Sequence, residues 1–248
     1  MSGRTLIGGT AYEIVDGTTK VGGTLYSITE GRTKIGGSVY SIDFGPVPYA
    51  YQQVEYIQYT SSTIAYYTLP ITSQEGLKLE CKLWSVNYND YQCHIGTITS
   101  SSLTSKARQF FHIALDEDNY DYGVASCAGD SVTSGLPLDS SGNIGVNFGN
   151  YGTTNTIVLT YNSNNRTSSV NRTRTLSSTG NTMYIMNPNS VRNGKYGSIK
   201  AYNASNTLIM ELYPVYRKSD NAPGFWDSIS RQFLSKSGSG AVTVGPDV

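Results

Sequence analysis

Residues 3 to 44 spell one fourteen-residue phrase three times without a gap: GRTLIGGTAYEIVD from Gly3 to Asp16, GTTKVGGTLYSITE from Gly17 to Glu30, and GRTKIGGSVYSIDF from Gly31 to Phe44. Six positions are identical in every copy (Gly, Thr, Gly, Gly, Tyr, Ile), and Ile7/Val21/Ile35 and Thr10/Thr24/Ser38 vary only conservatively. A tandem period this short is a supersecondary unit rather than a domain. In each copy a Gly-Gly pair (Gly8-Gly9, Gly22-Gly23, Gly36-Gly37) separates two runs of strand-forming residues. Two-residue primed turns need positive φ, which glycine adopts without steric cost, so each copy predicts a β-hairpin. Tyr12 and Ile14 then share one face of the second strand, as do Tyr26 and Ile28, and Tyr40 and Ile42.

A segment of this length with so few large apolar side chains cannot offset its ordering entropy alone. The repeats are therefore expected to be held by neighbours. Ile7, Tyr12, Ile14, Val21, Tyr26, Ile28, Ile35, Tyr40 and Ile42 are the candidate assembly residues, in a homotrimer or other homo-oligomer or against another protein of a larger particle. The alternative is a β-meander lying on the chain's own C-terminal domain.

The two prolines and glycine of Phe44-Gly-Pro-Val-Pro48 stop strand pairing and favour an extended connector. This divides the 248 residues into repeats at 1–45, a linker at 46–50 and one domain at 51–248, a size that a single β-sandwich core can reach. From Val54 onwards the text alternates: VEYIQY, then Leu77, Leu79, Cys81 and Leu83 at strict period two in GLKLECKLW, then QFFHIAL and NTIVLTY. Capped helical periodicity is almost absent, so the fold class is all-β, an antiparallel two-sheet sandwich. The stretch from Ser134 to Gly152 and the segment YNSNNRTSS from Tyr161 to Ser169 are rich in small and polar residues. They are candidate binding rims, since loops on a rigid scaffold often carry recognition.

Composition excludes several classes. Eighteen basic residues balance eighteen acidic ones at a pI near 6.7, so no basic patch advertises nucleic acid and no polybasic stretch a membrane surface. No apolar run approaches the ~20 residues of a spanning helix, and Met-Ser-Gly-Arg lacks the hydrophobic segment of a secretory signal. Three cysteines (Cys81, Cys93, Cys127) without a CxxC pair read as buried free thiols in a protein made in a reducing cytoplasm. Twenty tyrosines against six phenylalanines and two tryptophans suit half-exposed strands and also surfaces that hold sugars or proteins.

The opening VEYIQYTSSTIAYYTLPI and the ending YGSIKAYNASNTLIMELYPVYRKSDNAPGFWDSISRQFL resemble the concanavalin A-like, laminin-G-type jelly-roll domains of bacteriophage and prophage proteins. The matching positions are Glu55, Tyr56, Ile57 and Tyr67 near the start. Towards the end they are Ile199, Tyr202, Leu208, Pro214, Tyr216, Arg217, Lys218, Ser219, Asp220, Gly224 and Asp227. The GGT-x-Y-x-I repeats are similar to short arrays in phage structural proteins. The resemblance implies a virion-surface protein made in a bacterial host cytoplasm, a fibre or adhesin touching a host-surface glycan or protein, with residues 1–45 contacting other virion proteins. A capsid decoration, head fibre or baseplate component making mainly protein contacts is the alternative. A polysaccharide hydrolase is the third reading.

Glycosidases on this scaffold mount carboxylates at alternate positions of one strand, so that acid and nucleophile flank the scissile bond. No E-x-D-x-E run is present: Glu75, Lys78 and Glu80 have the wrong spacing and chemistry, and Glu211 stands alone in LIMELYP. The chain is therefore expected not to be an enzyme, with no catalytic residue and no cofactor. The acidic run Asp116-Glu117-Asp118-Asn119-Tyr120-Asp121 raises calcium at Asp116, Asp118 and Asp121, but it lacks EF-hand spacing and reads more simply as a solvated hairpin turn. His94 and His112 sit in strand-like text without a nucleophile motif and read as structural. YRKSD (Tyr216 to Asp220) reads as a turn closed by a local ion pair. Tyr120, Tyr122 and Trp226 are the candidate ligand-binding aromatics; for Trp226 the alternative, and the simpler reading, is a Trp that caps the core.

Overall fold

The structure, a computed structural model, describes residues 3–7, 10–14, 18–21, 24–27, 31–35, 38–42, 46–48, 50–59, 62–85, 92–97, 112–116, 122–127, 130–150, 156–173, 180–186 and 194–248; in the first 42 residues, in 112–116 and at Ser85, Gln92, Cys93 and Ser126 it describes the backbone alone, so the Cys93 thiol lies outside the description.

The repeats form three hairpins, each a separate two-stranded sheet: β1 (Gly3–Ile7) with β2 (Thr10–Ile14), β3 (Thr18–Val21) with β4 (Thr24–Ser27), and β5 (Gly31–Ile35) with β6 (Ser38–Ile42). Ile7 pairs with Thr10, Val21 with Thr24 and Ile35 with Ser38. Two residues therefore join each pair of strands, as the Gly-Gly signal requires. Tyr12, Tyr26 and Tyr40 occupy equivalent register positions opposite Thr5, Thr19 and Thr33. Ile28 lies outside the described residues.

The remaining strands are β7 (Tyr51–Gln53), β8 (Ile57–Tyr59), β9 (Tyr67–Thr72), β10 (Lys78–Ser85), β11 (Gln92–Gly96), β12 (His112–Asp116), β13 (Tyr122–Cys127), β14 (Asp130–Thr133), β15 (Asn143–Asn147), β16 (Thr156–Tyr161), β17 (Arg166–Asn171), β18 (Thr182–Ile185), β19 (Gly194–Tyr202), β20 (Leu208–Arg217), β21 (Ala222–Asp227), β22 (Gln232–Ser235) and β23 (Val242–Val244). They make an eleven-stranded sheet in the order β17-β16-β15-β10-β19-β20-β21-β22, with β7, β8 and β23 added along it, and a six-stranded sheet in the order β14-β13-β12-β11-β18-β9. Every pairing is antiparallel, and no helix occurs among the described residues. The protein is an all-β sandwich.

Alternation dictates what lies between the sheets. Along β9, Tyr67, Leu69 and Ile71 are buried while Thr68, Pro70 and Thr72 are exposed. Leu79, Cys81 and Leu83 of β10, Ile157, Leu159 and Tyr161 of β16, and Met183 and Ile185 of β18 join the same core, with side chains at every second position. Strand β19 breaks phase once. Cys81 pairs with Ile199 but Leu83 with Tyr196, so β19 carries one extra residue there, a β-bulge that keeps Tyr196 and Ile199 both inward. Gly197 sits in the bulge, where a Cβ would come within 2.8 Å of the Lys82 Cβ.

The two termini of the domain meet. β8, from the opening segment, lies between β19 and β23, and Val54 bridges Asp247. The opening segment thus contributes β8 to the sheet that holds β19 to β21 of the ending segment, and β9, with Tyr67, to the other sheet. YRKSD forms the turn between β20 and β21, closed by a two-pronged ion pair from Arg217 Nε to Asp220 Oδ1 (3.0 Å) and Nη2 to Oδ2 (2.6 Å). Asp227 is fully buried, its carboxylate accepting the backbone N–H of Glu211, Ile229 and Ser230 and the Ser230 hydroxyl. Asp220 and Asp227 both hold turns together.

Cys81 and Cys127 are buried free thiols, and burial, reinforced by neighbouring Glu80, pushes Cys81 up to about 12. Cys127 belongs to a polar tie. Arg172, with no exposed side-chain surface, donates to Glu75 Oε2 (2.8 Å), before β10, and to Cys127 Sγ (3.3 Å) in the other sheet. His94 is buried, with Nδ1 2.7 Å from the Tyr196 hydroxyl, and so joins strands of opposite sheets.

The two candidate rims are stitched together. Asp139 accepts hydrogen bonds from the Ser141 N–H (2.9 Å) and from the Ser163 N–H (3.0 Å) and hydroxyl (2.9 Å), while Asn162 accepts from the Asp139 N–H (2.8 Å) and donates to Pro137 O (3.1 Å). The loop before β15 is thereby tied to the turn between β16 and β17. A hydrogen bond from the Ser141 side chain, followed by the backbone N–H bonds from Ser163 and Ser141, holds the Asp139 carboxyl below the usual range.

Arg172→Ala removes a fully buried side chain together with both of its bonds across the sandwich, and should lower unfolding stability by about 3 kcal/mol, read from urea denaturation, whereas Glu75→Gln keeps an acceptor for Arg172 and should cost less. Asp139 binds its proton at lower pH folded than unfolded, so its tie is complete above the ordinary carboxylate range, near pH ~4, and is lost as pH falls below it. Amide protection of Leu138–Ser141 and Asn162–Asn165, taken against the intrinsic exchange rate at each pH, should therefore fall on acidification, and Asp139→Ala should show the low protection already at pH ~7.

Candidate functional site

Because β10 turns Leu79 and Cys81 inward, it turns Lys78, Glu80 and Lys82 out. Its neighbours extend this into rows running across the sheet. Thr167, Thr160, Gly145, Glu80, Lys200 and Glu211 stand opposite one another on β17, β16, β15, β10, β19 and β20. Ser228 extends the row, its N–H donating to the Glu211 carbonyl. A parallel row holds Ser169, Val158, Asn147, Lys78 and Tyr202.

Between these rows lies a groove of about 710 Å³, floored by the middle of β10, β15 and β16 and bordered by Lys78, Lys82, Asn143, Asn147, Asn165, Lys200 and Asn206. Gly145 keeps it open. A Cβ there would meet nothing closer than the Thr160 Cβ at 3.6 Å, so a larger side chain would stand in the groove without colliding with the sheet. Asn143 to Asn147 and Tyr161 to Asn165 border it from one side. The two polar stretches picked from the sequence therefore converge.

The charges are arranged and mostly answered. Lys200 Nζ lies 3.1 Å from Glu211 Oε1, and the Ser228 hydroxyl donates to Oε2 at 2.8 Å. Burial pushes the Glu211 carboxyl up, but hydrogen bonds from Ser228, Lys200 and Tyr213 outweigh it and hold the group below its usual range. Tyr213 in turn is pushed up to about 12, by burial and by Glu211. The Tyr202 hydroxyl donates to Glu80 Oε2 (3.3 Å), and Lys78 Nζ donates to Asn206 Oδ1 (2.9 Å). Asn206 is presented by a turn in which the Asn203 side chain accepts the N–H of Ser205 and Thr207.

Glu80 and Glu211 are separated by Lys200, two strand spacings or ~10 Å of backbone. Glycoside hydrolysis needs one carboxyl kept protonated to act as acid. Glu211 is instead stabilised as the anion, and the lysine between the pair answers its charge. The arrangement suits hydrogen bonding to a polar ligand.

Trp84, which sequence reading passed over, closes one end of this face. Its Nε1 donates to Ser140 O (3.0 Å), and its ring fills the space above Gly142, at φ 67°, where a Cβ would sit 2.4 Å from the indole. Tyr56 packs edge-on to it at 6.1 Å, and Lys195 Nζ lies 4.5 Å from the Tyr56 ring centre. Trp226 sits elsewhere on the sheet, in a cluster with Tyr51 (5.0 Å) and Phe233, which stacks on Tyr51 at 5.2 Å under Arg217. It is half-buried and caps no part of the inter-sheet core.

Tyr122 is half-buried at the start of β13, in the other sheet, so the structure does not bring it together with Trp226. Asp116 pairs with Tyr122 between β12 and β13; Asp118, Tyr120 and Asp121 lie outside the described residues. Among the described residues no group of three His, Cys, Asp or Glu side chains is placed to hold a metal ion, and no helix is long and apolar enough to cross a membrane.

No protein-family model matches the sequence, and no curated protein matches it. Among solved structures, a native heptameric SAP-like pentraxin from Limulus polyphemus aligns over 79% of this chain and 95% of its own, at 9% sequence identity and a TM-score of 0.46.

Proposed function

We propose that the sandwich is a non-enzymatic binding module that lays an extended polar glycan across the outward face of its larger sheet, and that the N-terminal hairpins hold the molecule in an oligomeric assembly. The row Thr160, Gly145, Glu80, Lys200 and Glu211 carries this reading. It sets a hydroxyl and charged groups in line at strand spacing over a glycine-floored groove bordered by asparagine amides, and its carboxylates are committed to neighbours rather than poised for acid catalysis. The family resemblance of the two sequence ends supports placing the molecule on a bacteriophage virion, with the groove turned towards the bacterial surface. A shallow site suits such display, because several copies on one particle gain avidity from effective concentration. Three hairpins with tyrosine at equivalent register positions supply a repeated surface for identical neighbours.

Glycan-array binding of the full chain tests the groove. Wild type should bind a defined set of oligosaccharides without shortening them. Gly145→Phe should lose at least about tenfold in affinity, the loss of roughly 1.4 kcal/mol of contacts, with a thermal midpoint close to wild type, whereas Gly145→Ala should still bind. Unchanged binding by the phenylalanine variant would place the ligand elsewhere. In sedimentation analysis, replacing Tyr12, Tyr26 and Tyr40 together by serine should shift the full chain to a lower oligomeric mass, and an unaltered mass would remove the hairpins from the assembly.

A further inference from the structure

Resting on the groove reading above, we infer that the ligand is an anionic glycan, one bearing carboxylate or phosphate groups, and that Lys82 is the residue selecting for it. On β10, β19 and β20 four lysines face outward, Lys78, Lys82, Lys195 and Lys200, against two carboxylates of the same strands, Glu80 and Glu211. Lys200 is spent on Glu211 and Lys195 lies over Tyr56. Lys78 is held by an amide, not an acid. Lys82 differs from all three. It stands where the β19 bulge interrupts the register, so it has no cross-strand partner on that side, and the residue beneath it is Gly197, which has no side chain to offer. Its opposite neighbour on β15 is the neutral Asn143. Two ammonium groups, from Lys78 and Lys82, therefore border the groove without an acidic partner, about four residue rises or ~14 Å apart at the backbone. That spacing spans several sugar units rather than one.

The neutral lining narrows the class. Asn143, Asn147, Thr160 and Asn206 offer amide and hydroxyl groups suited to sugar hydroxyls, while none of the groove's lining residues is an exposed aromatic on which a nucleobase could stack. With the whole chain neutral, there is no long-range field of the kind that drives nucleic-acid binding.

The test is calorimetric or array binding of the full chain to four probes of matched length: a neutral oligosaccharide, a uronic-acid oligosaccharide, a phosphate-bearing oligosaccharide and an oligoglutamate peptide. An acidic sugar should bind about tenfold or more tighter than the neutral one, the effect of a charge-assisted hydrogen bond, and its affinity should fall as salt rises from 50 to 200 mM. The two acidic sugars show which anion is taken. Lys82→Gln should bring the acidic probe to the neutral level and leave the neutral probe unchanged, while Lys236→Gln, away from the groove, should change neither. Equal binding of neutral and acidic sugars, or an acidic preference that survives Lys82→Gln, overturns the inference and leaves the groove reading standing. Preference for oligoglutamate overturns the assignment to glycan. Failure of wild type to bind any probe counts against the groove itself.

Discussion

The register of β10 is the constraint on which the rest depends. It is paired on both sides, with β15 and β19, and its side chains divide strictly between core and groove. A one-residue slip would send Leu79, Cys81 and Leu83 to solvent and bury Lys78, Glu80 and Lys82. Exposing the apolar set costs a few kcal/mol per large side chain, and unpaired buried charges cost more. The core therefore fixes where the groove's charges stand. Glu80 faces Lys200, and Lys200 faces Glu211, because Leu79, Ile199 and Leu212 are all committed inward.

Much of this was legible from residues alone. GLKLECKLW announces its period directly, and the Gly-Gly pairs announce hairpins, because both signals are local: one depends on alternation and the other on backbone freedom. The stretch from Ser134 to Gly152 was legible only in part: its loop is polar, but it also holds β15, whose Ile144 and Val146, with Phe148 after them, belong to the core. The row itself was not. Its members come from five strands separated by long sequence intervals, and only pairing register places Gly145 beside Glu80 and Lys200 beside Glu211. Searching for alternate carboxylates along one strand cannot detect acids aligned across strands.

Register also decides which aromatics share a face. Trp226 and Tyr122 stand out by residue type, yet they lie on different sheets. Trp84 follows Leu83 on the opposite phase of β10 and so joins the outer face. Its role became visible through Gly142, whose positive φ and missing Cβ leave room for the indole. Glycine recurs wherever this face needs space: Gly142 under Trp84, Gly145 in the groove floor, Gly197 under Lys82 and Gly224 under Phe233. Sequence shows such residues as breaks in a strand pattern, whereas here they shape its outer surface.

The cross-strand carboxylates are the strongest argument for catalysis on this face, and the electrostatics answer it. An acid catalyst must hold its proton near neutral pH, which requires a desolvated carboxyl free of donors to its ionised form. Glu211 is partly desolvated, but Ser228, Lys200 and Tyr213 all donate to its anion, and their combined effect exceeds that of burial. The same bonds that disqualify it as an acid fix it, together with Lys200 and Tyr213, as a rigid polar ridge. A ridge of satisfied groups can still accept or donate further hydrogen bonds, since each carboxylate oxygen has two lone pairs and each ammonium three protons. Groups held in place by their neighbours lose little entropy when a ligand arrives. Rigidity of this kind favours recognition of a repeating polar chain over transformation of it.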